Sequence, residues 1–395
     1  MGRHNKKRRN EQSELFIIIL SCSGGAGHIR AAEAIHQTAE KQVLPIHTKN
    51  FDILNFTSKT FKKLYAESYI KMVNHAPALW GYLYQISEQK HYVKNPIIKI
   101  FDHLNYRHYL KTITDMNADA IICTHFLPYI SISNEIRNKK SIPPIFAVTT
   151  DFDVHQLWVD PIVTRYFVHH EESAWQLHSK NVPTEKISVT GIPIMPDFKI
   201  KNHPRNIRKQ LGIHPDYFTI LVLSGGFGIG RIIDIVEYIL LTLKNFHKRK
   251  FNLIVICGHN TRAQKILSQK KYPENVHSYI FGFVKNIHEF MDASDLLVSK
   301  AGGLTSSEAM AKNLPMLVID PIPGQETRNS DFIVEAGAGW KAINLPNLSY
   351  KLKCIIENPK LLSKAKKSTK LLARPNAAYE ILNSVYEELT GEHIL

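Results

Sequence analysis

The chain has 395 residues, 44% hydrophobic and 22% charged, an ordinary globular composition with ample core for two or three domains. Its 50 Lys and Arg against 35 Asp and Glu leave a net charge of +15, which points to an anionic partner: nucleic acid, an anionic membrane surface or an anionic small molecule. No apolar run approaches the ~18 residues that cross a bilayer. The cysteines, Cys22, Cys123, Cys257 and Cys354, are scattered without a C-x-x-C pair, which excludes an evident zinc site and fits reduced, core-packed thiols in a cytoplasmic protein.

Residues 1–14 read as a basic tail; MGRHNKKRRN holds five Lys or Arg and no acid. The apolar run Leu15–Leu20 is too short for a signal peptide and ends in glycines without a small-residue cleavage site. It predicts a strand, and SCSGGAGHIRAAEAI (21–35) predicts a Gly-rich turn opening a helix. Glycines permit a tight turn and close ligand approach, and a helix N-terminus offers unpaired N–H groups to an anion. There is no G-K-[S/T], so a Walker-type loop is excluded. Gly25-x-Gly27-x-x-Arg30 resembles a dinucleotide fingerprint with Arg30 where a small residue belongs, and Asp52 keeps that alternative open. His28 is the titratable group at the mouth of the turn.

Further along, FTSKTFKKLYAESYIKMVNHAPALWGYLYQ (56–85) interleaves aromatics with lysines. Residues 56–111 carry nine Lys or Arg against three acids. Such a surface suits a membrane interface or nucleic acid, but no nucleic-acid motif accompanies it. The runs ADAIICTHF (118–126) and PPIFAVTTDF (143–152) predict buried parallel strands, with His125 at the end of the first. Asp151-Phe152-Asp153 with His155 has the outline of a D-x-D cation site, but two helix N-termini already cover a diphosphate, and Asp151 and His155 read instead as bordering the acceptor or orienting His28. The polar, Pro-punctuated residues 199–217 read as a linker between a first domain (15–198) and a second (218–372).

The second domain repeats the opening: FTILVLSGGFGIGRIIDIVEYIL (218–240) is strand, Gly-rich turn, helix. FNLIVICGHN (251–260) and LPMLVID (314–320) predict more strands. In VSKAGGLTSSEAMAKNLPMLVIDPIPGQETRN (298–329), Gly302, Gly303 and Thr305 fall at a helix N-terminus able to bind a diphosphate. Glu308 lies one turn on, where a carboxylate can take two hydrogen bonds from a ribose diol or simply complement the helix dipole. Gln325, Glu326 and Asn329 follow Pro323-Gly324 and suit sugar hydroxyls. Residues 373–395 predict a helix packing back, apolar at Ala378, Ile381, Leu382 and Val385.

SGGAGHIRAAEAI, TDFDVHQLW, VTGIPI, SGGFGIG, GFVKNIHEFMDASDLLVSKAGGLTSSEAM and PIPGQETRN occur in the order and spacing of a known family. From about Leu15 to Tyr386 the chain resembles the monogalactosyldiacylglycerol synthase and processive diacylglycerol glucosyltransferase family. The resemblance implies the GT-B fold: α/β, two Rossmann-like domains with parallel sheets facing a central cleft. It implies an inverting transfer of a hexose from a UDP-sugar to a lipid, diacylglycerol being the expected acceptor, without metal or other cofactor. His28 would be the general base; Gly225 and Gly226 would line the diphosphate; Phe283 and Val284 would sit by the uracil. Glu308 would hold the ribose, and Gln325 and Glu326 the donor sugar. Ala26 and the HIRAA wording depart from the plant-type turn on the acceptor side.

The expectation is an enzyme at the cytoplasmic face of an anionic membrane, not bound to nucleic acid. The donor side would be Gly225, Gly226, Phe283, Val284, Gly302, Gly303, Thr305, Glu308, Gln325, Glu326 and Asn329, and the acceptor side Gly25, Gly27, His125 and His155 beside His28 and Asp151. A UDP-sugar epimerase on the same fold and a non-catalytic nucleotide- or nucleic-acid-binding protein are the alternatives.

Overall fold

The computed structural model describes residues 14–23, 25–41, 44–57, 81–82, 106–136, 142–224 and 231–393. The basic tail to residue 13, most of the lysine and aromatic stretch, and Gly225 and Gly226 lie outside the described residues.

Two parallel sheets form, as the repeated strand, turn and helix pattern predicts. The first contains β1 (Leu15–Ser21), β2 (Ile46–Asp52), β3 (Ala120–Cys123), β4 (Ile145–Val148), β5 (Val163–Val168) and β6 (Ile187–Val189), in the order β2-β1-β3-β4-β5-β6. The second contains β7 (Phe218–Leu223), β8 (Phe251–Ile256), β9 (Val276–Phe281), β10 (Leu296–Ser299), β11 (Met316–Ile319) and β12 (Gly339–Ala342), in the order β12-β11-β10-β7-β8-β9. β1 is registered on β3 through Ile17↔Ala120 and Leu20↔Cys123, and β7 on β10 through Ile220↔Leu296. Helices cover both faces, so the strands are continuous apolar runs such as Ile17–Leu20 and Leu253–Val255, all fully buried.

Strand order reverses direction between β1 and β3 and again between β7 and β10. Ligands in open α/β sheets bind beyond the strand ends at such switch points. Here the first switch point carries His28 and Thr124–His125, and the second carries Gly302–Gly303.

The chain crosses between domains at residues 190–195 and 373–377, and the crossings touch. Gly191 has φ +98°, and a Cβ there would lie 2.4 Å from Arg374 Cβ, so only glycine fits. Beyond the second crossing, the helix Ala377–Thr390 lies on the first domain. Its Ala378, Ile381, Leu382 and Val385 pack with Ile17, Ile19, Ile35, Phe146 and Phe167, while Glu388 pairs with Arg165 at 2.6 Å.

Residues 199–217 are more ordered than a polar linker implies. Pro204 opens a helix to Gln210, and the buried Arg208 donates to Ala293 O, Pro215 O and Asp295, fastening the segment to the second domain. The cysteines form no disulfide, and three of them are buried. No helix among the described residues is long and apolar enough to cross a membrane.

Leu382→Ala should lower unfolding stability by about 2–5 kcal/mol, because it opens a cavity in a core that belongs to the other end of the chain. Denaturant titration checks this, and a loss under about 0.5 kcal/mol would mean that the helix is not docked there.

Candidate functional site

β1 ends at Ser21, and the helix Ala26–Lys41 begins after the glycine turn, which brings His28 to the carboxyl end of β3. The turn is tied down by Asp52, whose Oδ1 accepts from the N–H groups of Ser23 (3.1 Å) and Leu54 (3.0 Å). That carboxylate serves the backbone rather than a ribose, and Arg30 points elsewhere. The dinucleotide alternative, already set back by Arg30, therefore loses the residue that kept it open.

His28 Nδ1 lies 3.0 Å from Thr124 O and 2.8 Å from Thr150 Oγ1. A carbonyl oxygen can only accept, so Nδ1 carries the proton and Nε2 keeps its lone pair. The Thr124 hydroxyl returns a bond to His28 O at 2.9 Å, closing a two-way tie between helix and strand. A Cβ on Gly25 would sit 3.3 Å from His28 Cδ2 and 3.7 Å from Nε2, so glycine keeps that edge of the ring open. Gly27 lies in the first turn of the helix with no protein atom near its missing Cβ. Burial lowers the His28 pKa to about 4, partly offset by the bond to Thr124 O, so the ring is neutral near pH 7.

His125 meets His28 edge to face at 4.5 Å, but its Nδ1 accepts from Leu127 N at 3.0 Å and caps the following helix. His155 likewise caps a short turn, accepting from Leu157 N at 3.1 Å. Burial holds His125 neutral, and His28 beside it adds to that effect.

Asp151-Phe152-Asp153 is a plug between domains rather than a cation site. Phe152 is buried in the second domain's core beside Phe332, at a ring separation of 4.9 Å. Asp151 Oδ1 accepts from Asn329 Nδ2 at 2.8 Å, and Asp153 pairs with Arg328. Asp151 makes no bond to His28; Thr124 and Thr150 do the orienting, and the sequence reading missed both. Burial pushes the Asp151 carboxyl up to about 6 against the bond from Asn329. Among the described residues, no group of three His, Cys, Asp or Glu side chains could hold a metal ion.

Asn329, expected on the donor side, has its whole amide engaged. Its Oδ1 accepts from Phe152 N at 2.8 Å, and Nδ2 also reaches Ala301 O at 3.0 Å. Gly303 begins the helix Gly303–Ala311, and a Cβ there would fall 2.0 Å from Thr150 O, so the helix end abuts β4's exit. Thr305 is half-buried in the first turn. Glu308, almost fully buried on this helix, accepts from Arg30 Nη2 at 2.6 Å across the cleft. Burial pushes its carboxyl up to about 7 against the pull of Arg30. Arg30 is the third site residue not foreseen, after Thr124 and Thr150; its one signal was a large cation where a small residue belongs.

After β11, Gly324 turns the chain with φ +92° into the helix Gln325–Glu335. Gln325 is half-buried at its start. Glu326 accepts from Ile322 N at 2.7 Å, and its Oε1 lies 3.7 Å from where a Cβ on Gly302 would be. Burial pushes Glu326 up to about 7, moderated by Ile322 N–H and Lys300. At the far edge Phe283 is 59% exposed and stacks on His259 at 4.7 Å, a flat face open to a planar ring. Val284 instead packs its side chain into the second domain's core.

Residues 28–194 match the family model for monogalactosyldiacylglycerol (MGDG) synthase, and residues 219–381 match the glycosyltransferase family 28 C-terminal domain. The processive diacylglycerol beta-glucosyltransferase of Bacillus mycoides is 26% identical over 385 residues, covering 95% of this chain and 94% of its own. Among solved structures, MurG of Acinetobacter baumannii superposes with a TM-score of 0.58 at 15% identity, covering 95% of this chain and 99% of its own. The UDP-GlcNAc 2-epimerase of Neisseria meningitidis, bound to UDP-GlcNAc, gives 0.58 at 17% identity, with 94% and 99% covered. The two structures speak for the fold alone; the family matches and the full-length relative speak for the chemistry. The chain is a GT-B fold glycosyltransferase related to the processive diacylglycerol β-glucosyltransferases and the monogalactosyldiacylglycerol synthases.

Proposed function

We propose that the protein moves a hexose from a UDP-sugar to the hydroxyl of a diacylglycerol-like lipid at an anionic membrane surface, inverting the anomeric centre. The observation that carries this is His28, whose Nδ1–H is pinned by Thr124 O while Nε2 stays open beside Gly25. As the acceptor oxygen bonds to the anomeric carbon, its proton passes to Nε2, and the sugar's bond to the diphosphate breaks. A neutral ring already in the correct tautomer needs no rearrangement before it acts.

On the donor side, Phe283 would stack on the uracil and Glu308 would take the ribose diol. Gly302, Gly303 and Thr305, with Gly225 and Gly226, would meet the diphosphate, and Gln325 and Glu326 the sugar. The relatives' names support the lipid acceptor. The charge of +15, with nine Lys or Arg against three acids in residues 56–111, supports docking on anionic lipid. The epimerase alternative draws on Asp151 and Glu326, two carboxyls raised chiefly by burial, with Asp151 adding to the upward shift of Glu326, at the place proposed for the sugar.

Incubation with labelled UDP-sugars should release UDP only when a diacylglycerol acceptor is present, and the product should be a β-linked glycolipid. Epimerised donor without acceptor would favour the alternative. The protein should sediment with vesicles rich in anionic lipid and leave them at high salt; equal binding to neutral vesicles would count against the membrane component.

His28→Ala should cut kcat by roughly 10²–10⁴-fold with donor affinity little changed. Nitrogen-15 NMR of labelled histidine should find His28 neutral at pH 6 with the proton on Nδ1, since its pKa is lowered to about 4. An imidazolium at that pH, or the opposite tautomer, would remove the base from Nε2.

A further inference from the structure

Arg30 stands apart from the residues assigned so far. It lies on the first domain's opening helix, yet its guanidinium crosses the cleft to Glu308 on the second. Among the described residues Glu308 is its one partner; the side chain is 40% exposed, and its remaining N–H donors bond no other group among them. A planar fork with spare donors suits a phosphate better than a single carboxylate oxygen does.

Position adds to this. Glu308 lies five residues into the helix Gly303–Ala311, about 7.5 Å along its axis from the first residue. Helical side chains lean towards the N-terminus, so the Arg30 head is drawn to the helix's opening turns. On the same helix the hydroxyls of Ser306 and Ser307 are buried without a hydrogen-bond partner among the described residues. His28 and Arg30 are two residues apart on their own helix, and such neighbours point about 200° apart around the axis. In an in-line displacement the base serves the entering oxygen and a cation the leaving one, on opposite sides of the anomeric carbon, so the two residues need not share a face of their helix.

We propose that Arg30 is a donor-diphosphate ligand supplied by the acceptor domain, exchanged from Glu308 to the β-phosphate when the ribose takes up that carboxylate. This rests on the UDP-sugar reading above. In the transfer step the acceptor oxygen bonds to the anomeric carbon and its proton goes to His28 Nε2. The bond from the anomeric carbon to the β-phosphate oxygen breaks, and its electron pair stays on that oxygen. Arg30 meets the charge that gathers there. The Arg30–Glu308 pair is then the resting position of a mobile cation, and donor binding releases it.

UDP and UMP differ by the phosphate in question, so their affinities separate this role from a structural one. Calorimetry on Arg30→Gln should show UDP bound about 10–100-fold more weakly, the range of one or two charge-assisted bonds, with UMP within about twofold of the unchanged protein. Turnover should fall while the His28 tautomer stays as it was, and Arg30→Lys should recover part of the loss for UDP. If UDP and UMP both bind as before, or both bind more tightly, Arg30 only blocks Glu308 and the proposal fails. If the unaltered protein binds neither nucleotide, the donor assignment itself is wrong, and the role of Arg30 falls with it.

Discussion

The amide of Asn329 is where the two domains become one site. It is fully buried and bonds the carboxylate of Asp151, the backbone N–H of Phe152 and the carbonyl of Ala301. An amide offers two donors and an acceptor in one plane, and here all three directions are used. Lost partners at such depth would leave several buried polar groups unsatisfied, each costing about 1–3 kcal/mol. The close approach of Gly303 to Thr150 and the seat of Phe152 in the opposite core both require this register. Thr150 in turn reaches His28, so the tie between domains and the orientation of the imidazole belong to one connected set of contacts.

The electrostatics of the cleft follow from that closure. Excluding water raises Asp151, Glu308 and Glu326 and lowers His28, with burial as the largest cause in each case. The two groups of shifts act oppositely on stability. A carboxyl raised in the folded state is stabilising when protonated and loses that contribution as pH rises through 4–7. A histidine lowered in the folded state contributes above its ordinary pKa and loses that contribution as pH falls towards 4. Among the described residues the carboxylates take their hydrogen bonds from Arg30, Asn329 and Ile322 N–H.

The architecture was legible because it is written locally. Strand, glycine turn and helix recur within about 25 residues in each half, and parallel strands buried on both faces read as unbroken apolar runs. His28, Glu308 and Glu326 stood out for the same reason, each beside a glycine turn or helix start. Pairings across the cleft carry no such signal: Arg30 and Glu308 are 278 residues apart, Asn329 and Asp151 are 178 apart. Composition misled in two places. Asp151 in Asp-Phe-Asp read as a residue orienting His28 or bordering the acceptor, whereas its carboxylate bonds Asn329 and the aromatic beside it is a plug. Residues 199–217 looked like a loose linker because Arg208 hides its charge among two carbonyls and Asp295.

The helix Ala377–Thr390 has a consequence for how the protein is made. Ribosomes deliver a chain from its N-terminus at roughly 5–20 residues per second, and domains commonly fold as they emerge. The first domain's sheet emerges early, and Ala32, Ile35 and Ala39 of the opening helix cover part of the face containing Ile17, Ile19, Phe146 and Phe167, but Ala378, Ile381, Leu382 and Val385 complete its cover. Until those last residues clear the exit tunnel, the rest of that face remains an uncovered apolar surface while the whole second domain is being synthesised. A nascent chain in this state is a natural client for chaperones. The last helix thus sets the order of maturation: the domain begun first is finished last.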